Sequence, residues 1–237
     1  MKASVASISK DEFLEGQILL LDKPLNWTSF QAVNSVKWTI RKKFSLKKIK
    51  VGHAGTLDPL ATGLLVVCTG KFTKKIADLQ GQLKEYTGTI TLGATTPSYD
   101  LETEVQEIMS TDQLTSQEII EATHQFKGAI QQKPPLFSAL KKDGKRLYEY
   151  AREGSEVDIP SREVEIFNFE ISAINMPTVD FRIICSKGTY IRSLAHDFGK
   201  ALGVGGHLSA LRRTKIGEYN VDNAVDPTIF RTLLLEE

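Results

Sequence analysis

The residues best suited to chemistry lie in one short segment, VGHAGTLDPLATGLLVVCTG, running from Val51 to Gly70. It carries a carboxylate, Asp58, a lone imidazole, His53, two threonines, and glycines at 52, 55 and 63 ahead of an apolar run. Pro59 disfavours helical backbone at the residue before it, so Asp58 is expected on extended or turning chain. Glycines at those positions let backbone turn tightly or approach a ligand closely. A carboxylate shown on a rigid loop above a buried strand can serve as nucleophile or base. The same residues would also make an ordinary Asp-Pro turn. Their spacing matches neither the dinucleotide nor the P-loop glycine pattern, which argues against a phosphate-loop hydrolase. His53 has no Cys/His cluster around it, so a metal role is not expected.

Other residues invite the same question. Tyr86 sits in an alternating stretch, with Gly88, Ile90 and Leu92 against Thr87, Thr89 and Thr91, and reads as an aromatic in a half-buried strand. Arg192 falls in the first turn of a helix, where a cation opposes the macrodipole unless a carboxylate pairs with it. Leu211, seen alone, is a core leucine.

These side chains need elements to position them. Gln17–Asp22 (QILLLD) reads as a buried strand closed by Lys23-Pro24. Thr28 or Ser29 caps a helix with Phe30, Val33, Val36 or Lys37, and Ile40 near helical spacing. Leu64–Cys68 is a strand, and Gly70 opens a short helix through Leu79. Thr115 and Glu118 have capping-box spacing before a helix running to about Gly128. Gln131 to Gly154 is polar and proline-bearing with a short helix at its end. Val164–Ile174 and Val179–Cys185 alternate as paired strands. Thr189 caps a helix over Ile191, Leu194, Ala195, Phe198 and Leu202, and Gly203 stops it. Leu208–Tyr219 is a last strand, followed by a short helix. Without regular βαβ alternation, the fold class is α+β with a mixed, mainly antiparallel sheet and flanking helices. No linker or repeat interrupts it, so residues 1–237 are expected to form one domain.

The bulk composition fits a soluble globular protein: 237 residues, 41% hydrophobic and 25% charged. The longest apolar run, Leu64 to Cys68, is too short to span a bilayer, and the start lacks a signal-peptide core. Cys68 and Cys185 are the two cysteines, too few for a disulfide framework or a metal set, and both lie in strand-like contexts as reduced thiols. A cytoplasmic location follows by default. Net charge is +1, but its distribution is uneven. Lys37 to Lys50 carries seven cations and no acid, with smaller basic groups at Lys71–Lys75, Lys141–Arg146 and Arg212–Lys215. Acids collect at 102–121 and 153–170. Such segregation suits a basic face toward a polyanion, although solvated helix ends explain any one cluster as well.

Five segments together are more specific. GHAGTLDPLATGLLVV resembles the catalytic motif of the TruB family of tRNA pseudouridine-55 synthases. KEYTGTITLGATTPSYD is similar to its second motif, SALKKDGKRLYEYAREG to its RNA-gripping insertion at about 131–154, CSKGTYIRSLAHDFGKALG to its third motif and HLSALRRTKIG to its last. They occur in family order from about Gln17 to Tyr219. The resemblance implies that uridine 55 in the T-loop of tRNA is isomerised to pseudouridine after being flipped out of the stack, in RNA recognised mainly by shape. It implies that Asp58 is the catalytic residue and that the arginine of KGTYIR, Arg192, stands against it. An enclosed Asp58 would have its pKa raised by desolvation, which a fixed cation opposes. Tyr86 matches the tyrosine that stacks on the target base, His53 a histidine near the flipped nucleotide, and Leu211 an apolar wall against the uracil. Lys23 and Pro24 match an N-terminal KP element, and Asp100 the aspartate closing the second motif.

The resemblance implies no cofactor and no metal, a monomer without an obligate protein partner, and no membrane. Two departures stand out. Asn26 replaces the usual glycine of KPxGxTS, a position where asparagine tolerates left-handed backbone. The chain is also expected to lack the C-terminal PUA domain that many relatives carry, with the lysine-rich run at 37–50 supplying RNA contacts in its place. That absence argues against a dyskerin-type synthase directed by guide RNA. An intact Asp58, Tyr86 and Arg192 set argues against an RNA-binding module whose chemistry has lapsed.

Overall fold

The structure is a computed structural model that describes residues 5–155 and 157–236. Residues 1–4 of the start read above for a signal segment, Glu156 within the acidic stretch 153–170, and Glu237 lie outside the described residues. In chain order the elements are α1 (Lys10–Glu15), β1 (Ile18–Lys23), α2 (Ser29–Lys43), β2 (Val51–His53), β3 (Ala61–Thr69), α3 (Ile76–Gly81), β4 (Lys84–Leu92), β5 (Ala94–Thr95), β6 (Glu107–Ile108) and α4 (Ser116–Ala122). They continue with β7 (Gly128–Gln132), β8 (Lys141–Lys142), β9 (Lys145–Arg146), α5 (Leu147–Arg152), β10 (Arg162–Asn175), β11 (Thr178–Cys185), α6 (Ile191–Ala201), β12 (Gly206–Ile216), β13 (Tyr219–Asn220) and α7 (Pro227–Leu235).

Contacts group these residues into two compact units, Met1–Tyr86 with Arg212–Glu237, and Thr87–Leu211. In the first, the strand order is β1-β3-β12-β4, with β2 also paired to β3. The β1–β3 ladder is antiparallel and runs from Ile18 opposite Cys68 to Lys23 opposite Gly63. Both faces of β3 are covered, which its unbroken apolar run requires. Leu65 and Val67 join Leu19, Leu21, the α2 residues Ala32, Val33, Val36 and Ile40, and Phe230 and Leu234 of α7. Leu64, Val66 and Cys68 face the opposite way, onto Leu20, Ala54, Leu79, Ile216 and Val221. Burying one such aliphatic side chain stabilises the fold by about 1.5–3 kcal/mol, so β3 anchors the loop that precedes it.

In the second unit the order is β12-β4-β11-β10-β7. β10 pairs antiparallel with β11 and with β7. Phe169 of β10 meets Phe181 of β11 and Phe198 of α6 with ring centroids 6.3 and 5.2 Å apart, distances that favour tilted aromatic contacts. Both cysteines are buried free thiols. No helix among the described residues is long and apolar enough to cross a membrane.

The α+β class and the largely antiparallel sheet agree with the pattern read from the sequence, and the differences have local causes. Phe30 lies on the exposed side of α2, because the inward stripe runs through Ser29, Ala32, Val33, Val36 and Ile40. The helix expected to reach Gly128 ends at Ala122 in a 3-10 turn through Phe126, since Gly128 has φ +89° and already opens β7. Thr189 does not cap α6; its hydroxyl donates to Ser186 O (3.0 Å), and Tyr190 takes the cap position without a side-chain bond. The last strand ends at Ile216, and the chain reverses at Gly217, φ +52°, so that Tyr219–Asn220 returns as β13, antiparallel to β12. Asn26 adopts φ +64°, the left-handed backbone its type allows.

Candidate active site

Asp58 lies on the loop that carries the chain from β2 back into β3, and hydrogen bonds fix that loop on both sides of it. Thr28 forms a reciprocal capping box with Gln31 at the start of α2, and this leaves the next hydroxyl, Ser29, for another partner. Ser29 Oγ donates to Leu57 O (3.0 Å) and accepts from Leu57 N (2.8 Å), holding the residue before Asp58 at a buried site. On the far side Asn26 N donates to Pro59 O (2.9 Å), and the Asp58 carbonyl closes a turn by accepting from Ala61 N (3.1 Å).

Two buried cations complete the bracket. Lys23 is fully buried, carried there by the β1 register opposite Gly63. Its Nζ donates to Trp27 O (2.6 Å), Pro24 O (2.9 Å) and Pro59 O (3.4 Å). Arg213 of β12 is 1% exposed. Its guanidinium donates from Nε to Leu64 O (2.8 Å), from Nη2 to Gly55 O (2.9 Å) and from Nη1 to Thr56 O (3.4 Å). Gly63 makes this approach possible: a Cβ there would lie 2.3 Å from Arg213 O and 2.8 Å from Arg213 N, at φ +102°. The close approach expected of this glycine is therefore to a neighbouring strand.

The electrostatics follow from the burial. Desolvation lowers the pKa of Lys23 from 10.5 to about 8; Asp58 counters the fall, and Arg213 adds to it. The ammonium thus feels Asp58 as a compensating charge. His53, at the end of β2, is pushed below its usual 6.5 by burial and by the charge on Arg213, with the Gly55 backbone opposing, so it is neutral at pH 7. Its Nδ1 is buried without a hydrogen-bond partner among the described residues. Lys23 and His53 thus both feel the charge on Arg213, and Lys23 also feels Asp58. Tyr86, also in this unit, is buried at 8% exposure within β4.

In the second unit Arg192 and Asp100 are both buried, and Arg192 Nε lies 3.6 Å from Asp100 Oδ2. Arg192 Nη1 also donates to Ser98 O (3.3 Å). A carboxylate therefore does offset this arginine near a helix N-terminus. Asp100 is itself fixed: Oδ1 accepts from Glu102 N (3.0 Å), and its carbonyl accepts from Thr96 Oγ1 (2.7 Å) and Ser98 Oγ (3.1 Å). Leu211 is half-buried on β12. In the 131–154 stretch, β8 and β9 form a hairpin with Lys141 and Arg146 exposed. Arg152 lies 5.3 Å and Arg146 5.9 Å from the ring centroid of Tyr148.

One basic cluster is not the open surface that its composition implied. Arg213 is internal, Arg212 forms a bidentate pair with Asp22 at 2.9 and 2.7 Å, and Lys215 lies 3.8 Å from Glu85. Alternation along β12 is irregular, so nothing in the run RRTK marks which cation turns inward. Ser29 and Asn26 also hold the loop in ways that reading them as a cap and a turn did not foresee.

Comparison with known proteins places these features in a family. The model described as TruB family pseudouridylate synthase (N terminal domain) matches residues 41–191, and that for the tRNA pseudouridylate synthase B C-terminal domain matches 192–232. A protein of Flavobacterium johnsoniae named tRNA pseudouridine synthase B is 61% identical, covering 96% of this chain and all of the relative. One of the same name from Chloroherpeton thalassium is 56% identical over 89% of this chain and 87% of its own. Among solved structures, a chain of a Cbf5-Nop10-Gar1 complex superposes with TM-score 0.67 at 32% identity, covering 93% of this chain and 55% of that one. A chain of an H/ACA RNP bound to a substrate RNA containing 2'-deoxyuridine gives 0.63 at 29% identity, covering 91% and 52%. The protein spans about half the length of these solved chains.

Proposed function

The chain belongs to the TruB family of pseudouridylate synthases, and from that premise we propose that it converts uridine 55 in the T-loop of tRNA to pseudouridine, with Asp58 as the catalytic carboxylate. The observation that carries this reading is the bracketed loop. Ser29, Asn26, Lys23 and Arg213 hold the backbone on both sides of Asp58, and Lys23 supplies a nearby buried cation. Curated relatives aligned over nearly their whole length carry the name tRNA pseudouridine synthase B, which favours tRNA over a guided target.

The reaction breaks the N1–C1′ bond, turns the uracil and joins C5 to C1′; the C5 proton leaves and N1 gains one. No electrons are exchanged. A carboxylate assists by attacking sugar or base, or by removing a sugar proton, and each form needs an ionised group fixed beside the nucleotide. The target base must first leave the stack, at a cost of a few kcal/mol. Tyr86 offers a stacking face, Leu211 an apolar wall, and neutral His53 a polar edge for the extruded nucleotide. By the family resemblance, Arg192, held by Asp100, and the exposed cations of the 131–154 insertion are assigned to RNA binding. The test is tritium release from tRNA transcripts labelled at uridine C5. Release that vanishes when the T-loop uridine is replaced supports the proposal. Release that persists after the replacement rejects the target, and none from any tRNA rejects the reaction.

A further inference from the structure

The outer face of α2 and the chain after it form a cationic surface that the loop around Asp58 does not use. The inner stripe of α2 is committed to the core with Phe230 and Leu234 of α7. Its outer side shows Trp38, 45% exposed, with Lys42 Nζ 4.9 Å and the Arg231 guanidinium of α7 4.6 Å from the ring centroid. Lys42, Lys47 and Lys48 are exposed and Lys43 half-buried, in a run from Lys37 to Lys50 that holds no acid. None of these cations forms an ion pair among the described residues. The acids of α7 are at its ends, where Asp226 caps Thr228 N (2.7 Å) and Glu236 follows the last turn. A cationic surface of this kind normally intersperses acids; here the run from Lys37 to Lys50 holds none, and a large aromatic is left open.

We infer that this face is a second RNA-binding surface, in which Lys42, Lys43, Lys47, Lys48 and Arg231 neutralise backbone phosphates and Trp38 stacks on a base or ribose. The inference rests on reading RNA as the substrate. Charge decides the occupant: releasing counterions from a polyphosphate rewards a dense row of unpaired cations. An exposed indole already flanked by two cations suits an unpaired base beside its phosphates. The contacts add affinity independent of base sequence and take no part in the chemical step.

The test compares the wild type, a variant carrying Lys42→Gln, Lys43→Gln, Lys47→Gln and Lys48→Gln, and Trp38→Phe, each as the full chain binding whole tRNA over a range of salt. At about 0.7–0.9 per phosphate contact, the slope of log Kd against log salt is expected to fall by about 3 in the four-lysine variant. Its Kd should rise at least about tenfold near physiological salt, while kcat at saturating tRNA stays unchanged. Tryptophan emission should respond to tRNA in the wild type and lose most of that response in Trp38→Phe. Unchanged Kd and salt slope would overturn the inference, as would a tryptophan response undiminished in Trp38→Phe, where Trp27 is the remaining indole. A wild type that binds tRNA without releasing tritium would reject the catalytic reading alone, because the binding comparison is read without turnover.

Discussion

Replacing Lys23 with methionine sets two large terms against each other. The ammonium is fully buried, and its pKa falls from 10.5 to about 8, so keeping it charged at neutral pH costs about 3 kcal/mol. Against this, it donates to three carbonyls, of Trp27, Pro24 and Pro59. Hydrogen bonds to charged groups contribute about 1.5–3 kcal/mol each, and the 3.4 Å bond to Pro59 less. Methionine removes both terms and leaves those carbonyls without this donor, so stability at pH 7 should fall by about 0–4 kcal/mol. The pH dependence separates them. Between pH 8 and 10.5 the unfolded chain keeps a proton on Lys23 that the folded chain has released. Raising the pH through that window therefore favours the folded wild type. Urea unfolding of both proteins at pH 7 and 10.5 should show the wild type gaining about 2–3 kcal/mol relative to Lys23→Met, the other lysines cancelling in the difference. A difference that stays constant from pH 7 to 10.5 would refute the placement of Lys23 in a desolvated enclosure. Activity should fall by about 10- to 100-fold in the same variant, because the Pro59 carbonyl loses a donor and Asp58 its nearby cation.

The glycine at 63 and the arginine it accommodates should fail together. Gly63→Ala places a Cβ 2.3 Å from Arg213 O at positive φ and should cost about 2–5 kcal/mol in thermal or urea unfolding. Gly55→Ala, with 3.6 Å to Arg213 Nη1, should cost only the backbone strain of about 1–2 kcal/mol. Arg213→Met leaves the carbonyls of Gly55, Thr56 and Leu64 without this donor. It should lower kcat and speed amide exchange at Ala54, Leu57 and Ala61; protection equal to wild type would count against the clamp. Asp100→Asn strips a buried charge from Arg192 and should destabilise by about 3 kcal/mol, measured by urea unfolding, with an effect below about 1 kcal/mol contradicting the buried pair.

The sequence made periodic features legible and left tertiary choices hidden. β3 announces itself because both of its faces are buried, and the Thr28 and Thr115 capping boxes fix two helix starts within a residue. Asp58 was singled out by the wording of its loop, and Pro59 foretold its non-helical backbone. What holds that loop was not recognisable: Ser29, Asn26, Lys23 and Arg213 reach it from positions up to 158 residues away in sequence, as with Arg213 and Gly55. A buried arginine and an exposed one look alike within RRTK. Asp58 was foreseen as the partner of Arg192; the close contact within the arginine's own unit is with Asp100, which only the approach of Asp100 to α6 reveals.

The most direct test of the central claim is a single-turnover assay of Asp58→Asn beside the wild type, on tRNA carrying tritium at uridine C5. The change is nearly isosteric and leaves the Asp58 backbone bond to Ala61 in place. The account predicts unchanged tRNA affinity, tritium release by the wild type, and none by the variant. Release by Asp58→Asn within about tenfold of the wild-type rate would contradict it, since losing a group that acts on the reacting atoms costs far more.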